Sequence, residues 1–309
     1  MKKKFIDRNK FTIILLVVII TATILVLLFD KSTKAGVPDF EGFNILILLL
    51  VGFCAGLLGG WIGTGGCSVM LPVLHFWLGF PAPIAVGTTL FAVIFTAISG
   101  GYGHLKQKNL DKRATMWVGG TGIIGVLIGS WLFTFLSNRS LLLGLIIGLV
   151  FLWPSIRMIW EGIKGYIKKS GSVKKSSPIK NTTIPGKPVA FSFFGTIVGT
   201  FTGIVGLGGG YALVPGFIYL FGAPVYVTMG TSLAVMIPMA LVGGLIKLLQ
   251  GYVFLSAALV LATGTIVGAQ IGAATIKKFK PNTLKLIFGI YFLYVAVKFI
   301  TNYFGVNIW

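Results

Sequence analysis

The chain has 309 residues, of which 56% are hydrophobic and 10% are charged, and its mean hydropathy is +0.96. A soluble fold is excluded, because so few polar residues could not cover a core of this size and several apolar runs approach the ~20 residues that cross a bilayer as a helix. The formal net charge of +20 does not indicate nucleic-acid binding, because the basic residues cluster between the apolar runs, as in membrane proteins that follow the positive-inside rule. The clusters are residues 1–10, 104–113, 161–187 and 277–280. The sequence therefore predicts an all-α polytopic protein of the cell membrane with no nucleic-acid partner.

Residues 11–29 form the first apolar run, which follows a basic N-terminus. A signal peptide has the same polarity, but its apolar core is ~7–15 residues long and a small-residue cleavage site follows it. This run is longer, and Asp30 and Lys31 come directly after it. We therefore expect residues 1–42 to contain a cytoplasmic tail and one retained transmembrane helix.

The first repeat is predicted over residues 43–160 and begins with a helical hairpin. Its two apolar arms, residues 44–58 and 67–78, are joined by glycines. Arms of about 15 residues or fewer are short for a full crossing, so we expect them to meet near the middle of the membrane or just beyond it. Three longer runs, each predicting a transmembrane helix, follow at residues 84–103, 116–136 and 141–160.

A basic linker, residues 161–187, separates the two halves of the chain. Its lysines, serines and prolines are typical of a loop, and it is either a solvated determinant of topology or a segment that also contacts anionic lipid headgroups. The second repeat is predicted over residues 188–309. Its hairpin arms are residues 189–205 and 211–221, and its three crossings are residues 227–248, 253–276 and 284–303.

A shift of 143 residues places Pro72 on Pro215 and keeps the two halves in register without a gap. The same shift superposes the glycine-rich elements at residues 63–67 and 206–210 and the Gly-Thr motifs at residues 87–89 and 230–232. The register predicts an internal duplication. A hairpin plus three crossings gives an odd number of passes, so the second repeat starts on the opposite side, as in the inverted repeats of secondary transporters. The basic loops then place the N-terminus in the cytoplasm and the C-terminus outside.

The two glycine-rich elements interrupt hydrophobic segments at matching positions. In hydrocarbon an unpaired backbone amide costs several kcal/mol, so irregular backbone survives only inside protein or beside a polar cavity. Glycine permits positive φ, which lets successive N–H groups point at one place, and a helix that starts near Cys67 or Gly210 adds its own free amides. Such an element attracts an anion without a cationic side chain. The alternative is that these glycines only permit close helix packing.

The candidate substrate-binding residues lie in the glycine-rich elements and in the Gly-Thr motifs. A hydroxyl near the start of a helix can cap the helix or bond back to a carbonyl, and it can equally contact an oxyanion, so both interpretations stay open. The candidates are Gly63, Gly65, Gly66, Cys67, Thr88, Thr89, Gly206, Gly208, Gly209, Gly210, Thr231 and Ser232. Packing alone is expected for the glycines at four-residue spacing, Gly52, Gly56, Gly60, Gly195, Gly199 and Gly203.

The acidic residues all fall in loops or at helix ends, so no buried carboxylate is expected for a proton relay or a sodium site. They are Asp7, Asp30, Asp39, Glu41, Asp111 and Glu161. No catalytic set and no metal-ligand spacing occurs in the apolar runs, so we expect neither an enzyme nor a bound metal or cofactor. Cys54 and Cys67 are expected to be core residues. His75 is expected to be packed in a hairpin arm and His104 to lie in a loop.

In these motifs the sequence resembles the TauE/SafE family of membrane proteins, which is named for sulfite export. The matching segments are residues 59–66 with Pro72, residues 203–210 with Pro215, residues 85–89, residues 228–232 and the loop at residues 109–111. The resemblance covers about residues 43–303 and implies transport of small sulfur oxyanions or organosulfonates. Two positions depart from symmetry. Cys67 stands where the second copy has Gly210, and Pro238 stands where the first has Phe95.

We expect an inverted-repeat secondary transporter that exports sulfite, a sulfonate or a related small anion, bound by backbone amides of the two hairpin tips near the middle of the membrane. A potential of ~100 mV, negative inside, is worth ~2.3 kcal/mol per charge, which suffices for export without ATP. Two alternatives stay open: an anion-selective channel with the hairpins as its filter, and a membrane scaffold that binds partners through residues 161–187. The sequence leaves both a monomer and a homo-oligomer open.

Overall fold

The computed structural model describes residues 2–29, 42–167, 183–276 and 281–306. Within these ranges the chain is helical and contains no β-strand, which confirms the predicted all-α class. The helices are α1 (Lys2–Phe29), α2 (Gly42–Ile62), α3 (Cys67–Pro72), α4 (Ala82–Lys106), α5 (Lys112–Ser137), α6 (Ser140–Ile167), α7 (Pro188–Val205), α8 (Gly210–Tyr219), α9 (Val225–Leu249), α10 (Leu255–Thr275) and α11 (Pro281–Tyr303). A π-helical turn, Val73–Trp77, continues α3. Most of the predicted linker, and the basic cluster at residues 277–280, lie outside the described residues.

Eight helices of the described ranges are long and apolar enough to cross a membrane, namely α1, α2, α4, α5, α6, α7, α9 and α10. This finding confirms the polytopic membrane class. α4 is the most enclosed of the eight, with 83% of its apolar window buried, whereas the figure for α1 is 6%. The centre of the bundle therefore lies around α4, and α1 packs at the periphery against α10.

The first arm of each hairpin is long enough to cross the membrane. α2 extends to Ile62 rather than to residue 58, and its 21 residues span about 31 Å. α7 has 18 residues and also qualifies by length. The prediction that both arms are too short was therefore wrong for the first arm, although the second arms, α3 with its π-helical turn and α8, are short as predicted. The extra turn of α2 stays helical because it packs on α10, where a Cβ at Gly60 would lie 2.6 Å from Ala269 O.

The packing of the helices repeats as the sequence does. The 143-residue shift relates α2 to α7, α4 to α9, α5 to α10 and α6 to α11. α2 packs on α10 and, as the counterpart of that pair, α7 packs on α5. α4 packs on α9, and α6 packs on α11. The first helix of each repeat therefore finds its main partner in the other repeat, so the two halves form one shared core.

Glycines bring the exchanged helix pairs into backbone contact. On α7, a Cβ at Gly203 would lie 2.5 Å from Val126 O of α5, in the same way that Gly60 meets α10. Lipid tails are as apolar as the helices, so association depends on close van der Waals contact, which small residues permit. The packing role expected for one set of glycines is confirmed for all six, Gly52, Gly56, Gly60, Gly195, Gly199 and Gly203.

Candidate functional site

Each hairpin turns on three glycines with positive φ. We call residues 63–68 the first tip and residues 206–211 the second tip. In the first tip φ is +83° at Gly63, +71° at Gly65 and +74° at Gly66, and in the second it is +70° at Gly206, +64° at Gly208 and +84° at Gly209. An L side chain resists this conformation by about 1–2 kcal/mol per residue, so the backbone itself requires glycine at these positions.

Most of the amides of both tips are buried without a hydrogen-bond acceptor in the described part of the chain. In the first tip Gly63 N donates to a carbonyl of α2 at 2.8 Å, and the next amide with a partner is Val69 N, which donates to Gly66 O at 3.0 Å. The five amides of residues 64–68 between them have no acceptor in the described part of the chain. The same holds for residues 207–211 of the second tip. Ten buried N–H groups are thus available, whereas most buried amides in proteins are paired.

The two tips touch each other. The thiol of Cys67 donates to Leu207 O in the second tip and lies 3.3 Å from Thr64 O in its own. The equivalent position of the second tip is Gly210, where a Cβ would come within 2.7 Å of Thr64 C. Cys67 and Gly210, one of the pairs of positions at which the repeats differ in sequence, therefore lie at the contact between the tips, which has room for a side chain on one side only.

Two side chains related by the 143-residue shift, Val93 of α4 and Met236 of α9, close the space in front of the tips. A Cβ at Gly208 would lie 2.7 Å from Met236 Cε and 2.8 Å from Val93 Cγ1. A Cβ at Gly65 would clash with Met236 Cε and approach Val93 Cγ1 to 3.3 Å. The middle glycines of both tips therefore face the same two side chains, one on α4 and one on α9.

Ser232 and Thr89 occupy equivalent positions but make different bonds. Ser232 Oγ donates to Gly63 O at 2.6 Å and to Met229 O at 3.0 Å. Thr89 Oγ1 donates within its own helix, to Ala85 O at 2.8 Å. Ser232 is therefore hydrogen-bonded to the first tip, whereas Thr89 hydrogen-bonds to carbonyls of its own helix, α4.

Thr88 and Thr231 each bond to a loop of the opposite repeat. Thr88 Oγ1 accepts the amide of Phe254 at 3.0 Å, and Thr231 Oγ1 accepts the amide of Asp111 at 3.0 Å. The glycine before each threonine lets a loop carbonyl approach, because a Cβ at Gly230 would overlap the carbonyl of the 109–111 loop. The same arrangement exists at Gly87, against the carbonyl of Tyr252. This geometry favours the structural interpretation of the two threonines over direct contact with an oxyanion.

Asp111 and His104 differ from their predicted environments. Asp111 lies at the start of α5, as predicted, but it is 5% exposed, so a carboxylate is buried there in a structural setting. Its Oδ1 caps α5 through the amide of Ala114 at 3.1 Å, and its Oδ2 accepts the amide of Ile184. His104 lies in the last turns of α4 rather than in a loop, and its Nε2 is 3.0 Å from Gly60 O. Asp111 is buried because it joins the 109–111 loop to two other segments.

Of the two cysteines, Cys67 is buried as predicted, but Cys54 is exposed on α2, so its assignment to the core was wrong. Both are free thiols. His75 is packed as predicted, with Nδ1 2.8 Å from Phe80 O and its ring stacked on Phe299. No group of three His, Cys, Asp or Glu side chains able to hold a metal ion occurs among the described residues.

Sequence reasoning missed Lys247, which lies in the predicted crossing at residues 227–248 close to its end. A lysine at such a position ordinarily extends its ammonium to the membrane surface. Lys247 is instead 0% exposed. The available signal was its register, because the 143-residue shift places His104 on Lys247.

Removing the hydroxyls of Thr88 and Thr231 is expected to destabilise the fold. Thr88→Val and Thr231→Val remove the hydrogen bonds from Phe254 N and from Asp111 N to the two hydroxyls, and we expect each change to lower the free energy of unfolding by about 1–3 kcal/mol. Thermal unfolding in detergent measures the loss. Thr134→Val is the matched control, since Thr134 Oγ1 donates only to Trp131 O in its own helix. Unchanged stability in both variants would contradict the role assigned to these hydroxyls.

The profile of the TauE family, described as sulfite exporter TauE/SafE, matches residues 48–299, which is more than half of the chain. No solved structure gives a significant match.

Three curated relatives carry the description "probable membrane transporter protein". YdhB of Bacillus subtilis (strain 168) is 27% identical over 228 residues, which cover 74% of this chain and 89% of the relative. YunE of the same strain is 27% identical over 276 residues, covering 83% and 97%. MJ0441 of Methanocaldococcus jannaschii is 29% identical over 265 residues, covering 81% and 93%. The similarity therefore spans most of each protein.

Proposed function

The chain belongs to the sulfite exporter TauE/SafE family, and on that premise we propose that it exports small sulfur-containing anions, such as sulfite or an organosulfonate, by secondary transport. It is a multi-pass membrane transporter, and the proteins of its family are transporters rather than enzymes. The family and its relatives support transport as such. The substrate class and its binding site are argued from the tips.

One observation carries the proposal: two sets of five buried amides have no acceptor in the described part of the chain, and they belong to two tips that touch each other and face the same two side chains. Each unpaired buried amide leaves about 1–3 kcal/mol of desolvation uncompensated, so a ligand rich in acceptors gains from binding there. Successive N–H groups arranged by αL glycines form a concave site for anions. Backbone amides do not titrate, so the partial positive charge of the N–H groups does not depend on pH. The proposed site is therefore selective for anions and against cations.

A small oxyanion fits this geometry better than a halide does. A sulfite or sulfonate group carries three oxygens around one sulfur atom, so different oxygens can accept amides from different tips at the same time. Because the thiol of Cys67 already joins the tips, a ligand that bonds both would hold them in the same relation. We propose that the binding residues are the tip glycines with Cys67 and Ser232, and that Thr88, Thr89 and Thr231 support them through α4 and α9.

Val93 and Met236 would have to move for an anion to reach the amides, since their side chains occupy the space in front of Gly208. Methionine is unbranched and has three rotatable bonds, so it can leave this position at a low cost in packing. In the proposed mechanism these two side chains close the site when it is empty. The conformation described is thus the closed one.

We also propose the arrangement in the membrane. Residues 43–160 and 188–309 form two repeats of opposite orientation, preceded by residues 1–42 with the N-terminus in the cytoplasm and followed by an external C-terminus. The exchanged packing of α2 on α10 and α7 on α5 supports the two-fold relation of the repeats. Basic loops at the cytoplasmic side, including residues 161–187, would contact anionic headgroups. The membrane potential, worth ~2.3 kcal/mol per charge at ~100 mV, would drive export.

Flux in proteoliposomes tests the function. Vesicles that contain the purified protein should release sulfite in a saturable manner, and sulfite on the opposite side should stimulate release, as in a carrier. A potential applied with potassium and valinomycin should change the rate, whereas collapsing a pH gradient should not. Non-saturating flux without exchange would indicate a channel instead. If neither sulfite nor a small aliphatic sulfonate binds or crosses, the proposed substrate class is wrong.

A further inference from the structure

Lys247 buries its amino group inside the bundle, and among the described residues no carboxylate pairs with it. The residue is 0% exposed, and its Nζ has no hydrogen-bond partner in the described part of the chain. The Nζ atom lies over the aromatic ring of Phe133 of α5, 3.1 Å from the ring centroid. A ring face offsets part of the cost of burying an ammonium, on the order of 2 kcal/mol when desolvated, but it does not neutralise the charge.

A buried ion ordinarily pairs with an opposite charge, because taking it out of water costs several kcal/mol. Ionisable side chains inside membrane spans are therefore rare, and they typically line the path of an ion or substrate. Lys247 lacks the usual partner, and an anion that passes by would supply one. The ammonium is thus placed to bind the class of ligand that the tips are proposed to bind.

A second polar group lies on the helix that contacts Lys247. Ser130 of α5 is 1% exposed, and its Oγ has no partner in the described part of the chain. Ser130 comes three residues before Phe133, so both occupy the same face of α5. An ammonium on α9 and a hydroxyl on α5 can together donate hydrogen bonds to an oxyanion that neither would hold alone.

The position of Lys247 relative to the tips follows from helix geometry. α4 and α9 run antiparallel, since Gly101 of α4 faces Ile237 of α9 and Gly244 of α9 faces Ile94 of α4. Lys247 lies eleven residues beyond Met236 along α9, which is about 16 Å along the helix axis. The tips and Lys247 are therefore separate positions within one bundle.

The other repeat carries the same design with a different residue. His104 lies eleven residues beyond Val93 along α4, is 0% exposed, and its Nδ1 has no partner in the described part of the chain. Because the two helices are antiparallel, His104 and Lys247 lie on opposite sides of the tips. Each repeat thus places one buried nitrogen group between the tips and one end of the bundle.

We propose that Lys247, with Ser130, forms a second anion-binding position between the tips and one end of the transporter, and that His104 marks the equivalent position on the other side. The ligand class is a small oxyanion such as sulfite. The inference rests on the proposed function, to which it adds a stepwise route: an anion that leaves the tips pairs with Lys247 before it reaches solvent.

The test compares Lys247→Met, Lys247→Arg and Ser130→Ala with the unchanged protein. The matched control is Lys298→Met, which removes one positive charge from α11, where Lys298 Nζ already has a partner in Tyr294 Oη at 3.3 Å. We expect Lys247→Met to lower the rate of sulfite flux on the order of 10- to 100-fold, the range for loss of a charged hydrogen bond. Lys247→Arg should retain more flux, and Lys298→Met should behave as the unchanged protein does. The Tm of Lys247→Met should not fall, because the change removes a buried polar group that has no hydrogen-bond partner in the described part of the chain.

Two results would overturn this inference. One is sulfite flux at the unchanged rate in Lys247→Met, and the other is a loss of flux that merely follows a lower Tm. Gly208→Ala separates the two proposals: if it loses sulfite binding while Lys247→Met transports normally, the tips bind the anion and Lys247 does not. If neither sulfite nor a sulfonate binds the unchanged protein, thermal shifts with nitrate and sulfate decide the point. If nitrate or sulfate raises the Tm of the unchanged protein but not that of Lys247→Met, the site is supported. If the anions raise both Tm values equally, the site is refuted.

Discussion

Alanine at Gly65 or at Gly208 is expected to remove most of the anion binding while leaving a folded protein. Both residues have positive φ, which an alanine resists by about 1–2 kcal/mol. The new Cβ would also meet Met236 Cε, which is the flexible end of a side chain and can move aside. The substitution is therefore expected to change the orientation of the tip amides and to leave the packing of the core intact. We expect affinity for sulfite to fall on the order of tenfold or more in each variant, measured by isothermal titration on monodisperse protein.

Gly101→Ala is the matched control for these variants. Gly101 is also buried, but it lies inside α4, and a Cβ there would be in ordinary contact with Ile237 Cδ1 at 3.5 Å. A second control, Gly208→Ala combined with Met236→Ala, relieves the crowding and leaves the backbone strain. If this double variant regains sulfite affinity, crowding was the cause. Normal binding in both Gly65→Ala and Gly208→Ala would show that the tips are packing devices and that the site lies elsewhere.

Alanine at Gly230 is expected to have the largest effect on folding. Its Cβ would overlap the carbonyl of Asn109 and lie 2.9 Å from the carbonyl carbon, and this backbone cannot move aside as the flexible end of a side chain can. The change would push the 109–111 loop away from α9 and break the bond from Asp111 N to Thr231 Oγ1. Overpacking of this kind costs about 1–3 kcal/mol, and loss of the hydrogen bond adds about 1 kcal/mol or more. The yield of monodisperse protein and its Tm measure the effect.

Gly120→Ala is the control for folding, because a Cβ at Gly120 on α5 has no atom within 4 Å. Gly87→Ala, the counterpart of Gly230→Ala in the first repeat, should also be strongly destabilised, since its Cβ would lie 2.8 Å from the carbonyl carbon of Tyr252. If the Gly230→Ala protein has the same Tm as the Gly120→Ala protein, the close contact between the 109–111 loop and α9 is refuted.

The features that the sequence determined alone are those governed by local physics. Apolar runs near the length of a bilayer crossing predicted the helices. Apart from a closed β-barrel, only a helix satisfies all of its backbone hydrogen bonds in hydrocarbon. The glycines at residues 63, 65, 66, 206, 208 and 209 predicted positive φ, because glycine lacks the Cβ that opposes it. The 143-residue register predicted which positions are equivalent, and the helix packing follows the same register.

Only the tertiary structure decided the contacts of Thr231 and Lys247, because each contact joins residues more than one hundred positions apart in opposite repeats. Thr231 could bind a ligand or a loop by sequence, and it bonds Asp111 because the 109–111 loop folds against the start of α9. Lys247 near a helix end would reach solvent on an isolated helix, but in the bundle it is buried and Phe133 of α5 packs against its amino group. Hydropathy along one chain segment records how apolar a helix is, but burial of one side chain depends on the helices packed around it.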